Sequence, residues 1–242
     1  MRRESGVARR NAGGRLCLFH GSGDHLKDHE GGSQVSDPPY LEGTKVIQEL
    51  FSLGAYPENI AMMDETEALN MFYSGEAAMM SNGSWGLPPA CKELEGNCDY
   101  FYYPAINPED ADSIGKACAG GVKDNAGAMV YSGTKYPELA TELAVEMSRN
   151  YQRYLYEVDQ SPFVVYDAEA LGWETPDFDP AALRLADEMS KFDHSYPFVQ
   201  DSLPTSAGAT LLMESSNKLF SNTGNYSAED YVADLDRALE EE

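Results

Sequence analysis

"EALNMFYSGEAAMMSNGSW", residues Glu67 to Trp85, decides how this 242-residue chain is read. Leu69 and Phe72 share a helical face behind "DET", where Asp64 or Thr66 can cap the helix, and Gly75 supplies the stop. The apolar run Ala77 to Ser81 predicts a short strand, and "NGS" predicts a polar turn. That turn carries a tryptophan. A large aromatic placed there either anchors the edge of a core, with Met79 and Met80 beneath it, or meets a ligand face to face. Gly83 permits a tight turn at that point and Ser84 offers a hydroxyl.

On either side the pattern alternates helices with short apolar runs. Leu41, Val46, Ile47, Leu50, Phe51 and Leu53 fall at helical spacing before Gly54. "GLPPACKELEGN" predicts a short helix entered through Pro88 and Pro89, and the aromatic "CDYFYYPAI" predicts a strand ended by Pro104. Asn107 to Ser113 predicts an acidic loop, and "GKACAGGVKDNAGAMVYSG" a pair of strands. "YPELATELAVEMSRNYQRYLYE" predicts a long helix whose inward face is Leu139, Leu143, Met147 and Tyr151 or Tyr154. Three more helices are predicted: one behind Asp179 and Pro180, one from about Ala209 to Phe220, and a last one capped by Ser227 with Asp230 three residues on. "HSYPFVQDSLPTSAG" between them is irregular. The fold class expected is α/β.

Composition narrows the function. Of 17 Lys and Arg, six lie in residues 1–30, which hold only four of the 41 Asp and Glu. The remainder is strongly acidic, which repels phosphate backbones and anionic lipid and argues against nucleic acid or a membrane surface as partner. No apolar run of 18 or more residues occurs, so no direct membrane insertion is expected. Residues 1–35, basic and Gly-rich, are expected to be an atypical disordered leader, with no legible export signal. His25 and His29 in it stand four apart among glycines, a chance clustering or a metal pair on a helix face. Cys17, Cys91, Cys98 and Cys118 form no Cys-x-x-Cys pair. Free thiols are expected.

The order of these features resembles the second part of a bacterial ABC-transporter extracellular solute-binding protein of the sugar-binding family, a distant relative of maltose-binding protein. Members carry a helix ending at Leu-Gly before a proline, then "F..GKAAM...GSW", a strand, a "GG" turn and "KNPELA.EF" opening a helix. Here those places hold "LFSLGAYPEN", "FYSGEAAMMSNGSW", "AGGV" and "GTKYPELATELAVEM", and the tail "FSNTGNYSAEDYVADLDRALEE" also fits. Similarity runs over about residues 38 to 242.

The resemblance implies a periplasmic-binding-protein-like (type II) two-lobe fold with most of the N-terminal lobe missing. Residues 36–102 and 166–242 would belong to the C-terminal lobe and 103–165 would complete the other. It also implies that the apolar sides of "AGAMVYSG" and of the helix Pro137 to Tyr154 lie uncovered. The function implied is the carbohydrate-binding subunit of an ABC transporter, in truncated form, extracellular or at the cell surface, with an oligosaccharide ligand, membrane permeases as partners and no cofactor. In relatives the tryptophan of "GSW" stacks on a sugar ring, which marks Trp85, Ser84 and Gly83 as candidate ligand-binding residues. A pyranose has an apolar C–H face suited to an indole. Gly120 and Gly121 either let backbone approach the ligand or form a turn. Trp173 is either a second platform or the plug of a loop. Tyr196 and Phe198 either supply a stacking partner or clamp the loop, because "LPTSAGAT" lacks the aromatic that relatives often place there.

Two rival classes stand beside it. An interaction domain without a small-molecule ligand would use Trp85 and the tyrosines at a protein interface. A glycan-active enzyme would need two carboxylates held at a set separation, which the 41 acids alone do not establish. No Gly-x-Ser-x-Gly, Walker loop or His-Glu-x-x-His occurs, and no catalytic or metal-ligating residue is expected. The acids Glu109, Asp110, Asp112, Asp177 and Asp179 fit no calcium loop of known geometry.

Overall fold

A computed structural model describes residues 6–7, 35–113, 117–119, 128–192, 194–196, 206–221 and 225–240. Most of the expected leader, with His25 and His29, lies outside the described residues, as do Gly120, Gly121 and Phe198. The chain forms two compact units, one built from residues 1–81, 102–120 and 193–242, the other from 82–101 and 121–192.

The first unit is organised by three helices: α1 (Pro38–Ser52), α6 (Ser206–Ser221) and α7 (Ala228–Glu240). Their apolar stripes meet in a core of Ile47, Leu212, Leu219, Phe220, Tyr231, Val232 and Leu235, with Val35 and Ile60 added from flanking turns. Each such side chain contributes about 1.5–3 kcal/mol on burial. Phe51 stacks on both Tyr56 and Phe220, with ring centroids 4.4 and 4.8 Å apart. Polar groups fix the register of the helices. The Gln48 side chain donates to the Tyr226 carbonyl at 3.1 Å and accepts from the Ala228 N–H at 3.3 Å. The Asp236 carboxylate accepts from the N–H groups of Val35 and Ser36 just ahead of α1.

α2 (Glu65–Tyr73) starts on Asp64, whose carboxylate accepts from the Glu67 N–H at 2.8 Å while the Glu67 side chain accepts from the Asp64 N–H at 3.2 Å. This reciprocal cap satisfies two donors that a helix start leaves orphaned. Gly75, at φ +76°, turns the chain after α2 in a conformation few other residues adopt. The strand expected at Ala77 to Ser81 is shorter, Met79–Met80, and pairs in parallel with Gly6–Val7. We number these β2 and β1. A second parallel pair joins β3 (Ala117–Ala119) to β4 (His194–Tyr196), inside the stretch read as irregular.

The second unit holds α3 (Leu87–Glu93), α4 (Pro137–Glu157) and α5 (Pro180–Met189). Asp179 caps α5 by accepting from the Ala181 N–H at 2.8 Å. Leu87, Ala90 and Cys91 of α3 and Ala181, Ala182 and Leu185 of α5 are buried.

Four expectations fail. "CDYFYYPAI" forms no strand: Tyr100 N–H turns back to the Asp99 carboxylate at 2.8 Å and Phe101 is exposed, so β-prone composition alone does not make a strand here. The acidic loop is a 3-10 turn, Pro108–Ser113. In the stretch read as a strand pair, β3 is the one strand among the described residues, and its partner is β4. The face of α4 read as inward points outward: Leu139, Leu143, Met147, Tyr151 and Tyr154 are 51–63% exposed. Met129, Tyr131 and Tyr136 ahead of it are exposed too, the uncovered state that the family resemblance implied.

Candidate functional site

The turn at residues 82–86 is built on glycine. Asn82 accepts the Gly83 N–H with its own side-chain oxygen at 2.8 Å, and Gly83 is extended. A 3-10 turn, Ser84–Gly86, follows, closed by the Gly86 N–H on the Gly83 carbonyl at 2.9 Å. It passes directly into α3, whose buried Leu87 and Pro88 anchor it from below.

Two close approaches shape its surface. The six-membered ring of Trp85 lies across Gly83: a Cβ there would sit 2.2 Å from the ring. The Asn82 amide lies across Gly86 in the same way, 2.0 Å from where a Cβ would stand. Both glycines are therefore places where a side chain occupies the space of a missing Cβ. The result is an indole held against backbone yet 48% exposed, on a turn fixed at both ends. An indole so held presents apolar area to a ligand at little further cost in rotamer freedom. Asn82 and Gly86 were passed over in the sequence, although "NGSWG" carries both.

Two other candidates fall among the described residues. Trp173 is only 8% exposed. It packs on Tyr156 and Tyr166 at centroid distances of 5.9 and 6.0 Å, and Phe178 meets Tyr156 edge-on at 5.0 Å. Its ring fills the interior of the loop 160–178, and it offers no open face for stacking. Tyr196 belongs to the first unit, where its backbone pairs with Ala119 in the β3–β4 ladder. The structure thus joins Gly83, Ser84 and Trp85 in one turn, packs Trp173 among tyrosines, and pairs the Tyr196 backbone with Ala119.

Cys91 and Cys98 are free, and burial, then the neighbouring Cys98, pushes the Cys91 thiol up. Arg184 pairs with Asp99 and sits over the Tyr100 ring at 5.4 Å. Glu157 is held below its usual range by its bonds from Arg153 and from the Glu174 N–H, each 2.8 Å. Among the described residues no group of three or more His, Cys, Asp and Glu could hold a metal ion. Nor is any helix among the described residues long and apolar enough to cross a membrane.

No protein-family model and no curated protein matches the sequence. Solved structures do match. One, named a chitin oligosaccharide binding protein, aligns at a TM-score of 0.66 and 18% identity over 90% of this chain and 52% of its own. A structure from work on xylan utilization by the thermophilic bacterium Caldanaerobius polysaccharolyticus aligns at 0.67 and 16% identity, over 87% and 53%. A third, SBP RafE in complex with raffinose, aligns at 0.58 and 20% identity, over 98% and 61%. The chain has the fold of the matched part of these structures and spans between half and two thirds of their length.

Proposed function

We propose that this chain is part of a non-catalytic oligosaccharide-binding protein, with Trp85 as a stacking platform for a sugar ring. The observation that carries the proposal is the half-exposed indole laid across Gly83 at the mouth of α3. The C–H face of a pyranose packs on such a ring, while its hydroxyls take hydrogen bonds from groups such as the Ser84 hydroxyl and the Asn82 amide. Structures named for chitin-oligosaccharide binding and for a raffinose complex share the fold, which supports the ligand class. The remainder of the proposal follows from the likeness in sequence pattern. The complete binder is a two-lobe protein outside the cell, it delivers its ligand to the permeases of an ABC transporter, and residues beyond those matched here complete the site.

A panel of oligosaccharides titrated against the chain tests this, with tryptophan fluorescence and product analysis read together. Saturable quenching without cleavage supports binding. Release of shorter sugars would assign a glycan-active enzyme, and an unchanged emission throughout would leave the turn to a protein interface.

A further inference from the structure

The end of α3 opposite the Trp85 turn carries two cysteines, Cys91 within the helix and Cys98 in the chain just beyond it. The helix stops in a tight reversal. Glu95 and Gly96 take left-handed backbone, at φ 51° and 78°, the Gly96 N–H closes on the Cys91 carbonyl at 2.8 Å, and the Asn97 N–H closes on the Leu94 carbonyl at 2.9 Å. Left-handed backbone at Glu95, which is not glycine, persists only where the surrounding bonds hold it. The reversal lays Cys98 against Cys91. The Cys91 thiol donates to the Cys98 carbonyl, with 4.0 Å between sulfur and oxygen, and the two thiols share a hydrogen bond. Cys91 is buried, Cys98 is half-buried, and both are free thiols in this structure. From such contact, the roughly 2 Å of a sulfur–sulfur bond is reached chiefly by rotating side chains.

We propose that Cys91 and Cys98 are a disulfide-forming pair, oxidised by a low-molecular-weight disulfide, and that the bond staples the end of α3 to the chain after it. Cys98, the less buried of the two, attacks first as its thiolate: its sulfur bonds to one sulfur of the small disulfide, and the other half leaves as a thiolate. Cys91 then attacks the Cys98 sulfur and expels the second half. Two electrons pass from the protein pair to the small disulfide, and the two protons the cysteines give up are balanced by those the released thiols take. Burial raises both thiols, which slows the exchange at neutral pH without blocking it. That the pair meets such an oxidant in the cell rests on the extracellular location proposed above; the bond itself rests on the turn.

Peptide mapping of the full chain tests it. The protein is incubated with oxidised glutathione, alkylated, and digested with trypsin, which cuts after Lys92 between the two cysteines. The peptides on either side of that cut are expected to stay joined until a reductant is added. The oxidised chain should also unfold about 5 °C above the reduced one, because the bond closes a short loop in the unfolded state. Cys98→Ala, at the less buried position, should remove both the joined species and the rise. Both thiols still alkylated after prolonged oxidation, glutathione left unresolved on Cys98, or a link to Cys17 or Cys118 instead, overturns the proposal. So does a joined species that unfolds at the temperature of the reduced chain. No sugar enters the measurement, so its failure leaves the oligosaccharide reading untouched.

Discussion

Trp85→Ala is the perturbation with most at stake. A tryptophan side chain buries about 150–250 Å² when fully covered. With 48% of Trp85 exposed, roughly 100 Å² is open to a ligand, and a sugar ring stacked on one side covers about half of that. At about 25 cal/mol per Å² this gives about 1.3 kcal/mol, and the directional attraction of the ring face adds about 0.5–1.5 kcal/mol. Loss of the indole should then cost about 2–3 kcal/mol, a rise in Kd of about 30- to 150-fold. Because the side chain is half-exposed, thermal stability should fall by only about 1 kcal/mol. Titration calorimetry with a bound oligosaccharide measures the first effect and thermal unfolding the second. An affinity within about twofold of wild type would refute the stacking role, since no other described group of the turn offers an apolar face.

Three further substitutions and conditions separate site from scaffold. Gly83→Ala places a methyl group 2.2 Å from the indole, so the ring must swing off the turn; oligosaccharide affinity should drop as far as in Trp85→Ala, with a shifted Trp85 emission. Leu219→Ala, at a fully buried position between α1, α6 and α7, should destabilise the first unit by about 2–5 kcal/mol in urea unfolding and leave the emission of Trp85 unchanged. Alkaline pH acts on the same core. Burial pushes Tyr40, Tyr56 and Tyr231 up to about 12, with the nearby Asp37 adding to the shift at Tyr40. Their folded-state values lie above the unfolded value of 10, so stability is fully present below pH 10 and is lost as pH rises from there toward 12; thermal unfolding from neutral to alkaline pH should show that loss.

Local signals in the sequence were the ones that transferred to the structure. Gly54 and Gly75, both at positive φ, end α1 and α2 where a helix stop was expected. Asp64 and Asp179 cap their helices with side-chain oxygens that short-range spacing predicts. Each of these depends on three or four neighbouring residues. Strands depend on distant partners, and those the sequence did not identify: β2 and β3 fall inside stretches expected as strands, but their pairing was not foreseen. "CDYFYYPAI" has the composition of a strand and does not form one, while His194–Tyr196 looks irregular and pairs with Ala117–Ala119, more than seventy residues earlier. The stripe on α4 was legible as amphipathic, but periodicity states which residues share a face and not which face is covered. At the site, the "GSW" pattern pointed to Trp85. The packing of the ring on Gly83 and of Asn82 on Gly86 required coordinates, because the space of a missing Cβ is visible only in three dimensions.

The two tryptophans of the chain make one measurement especially direct. Each gives a single indole N–H signal in a nitrogen-15 correlation spectrum, one from an open ring and one from a ring closed in by Tyr156 and Tyr166. On addition of a chitin, xylan or raffinose-type oligosaccharide, the Trp85 signal should move saturably while that of Trp173 stays in place. Movement confined to Trp173, or two signals fixed across the whole panel, would contradict the claim that this chain receives a sugar on the ring at position 85.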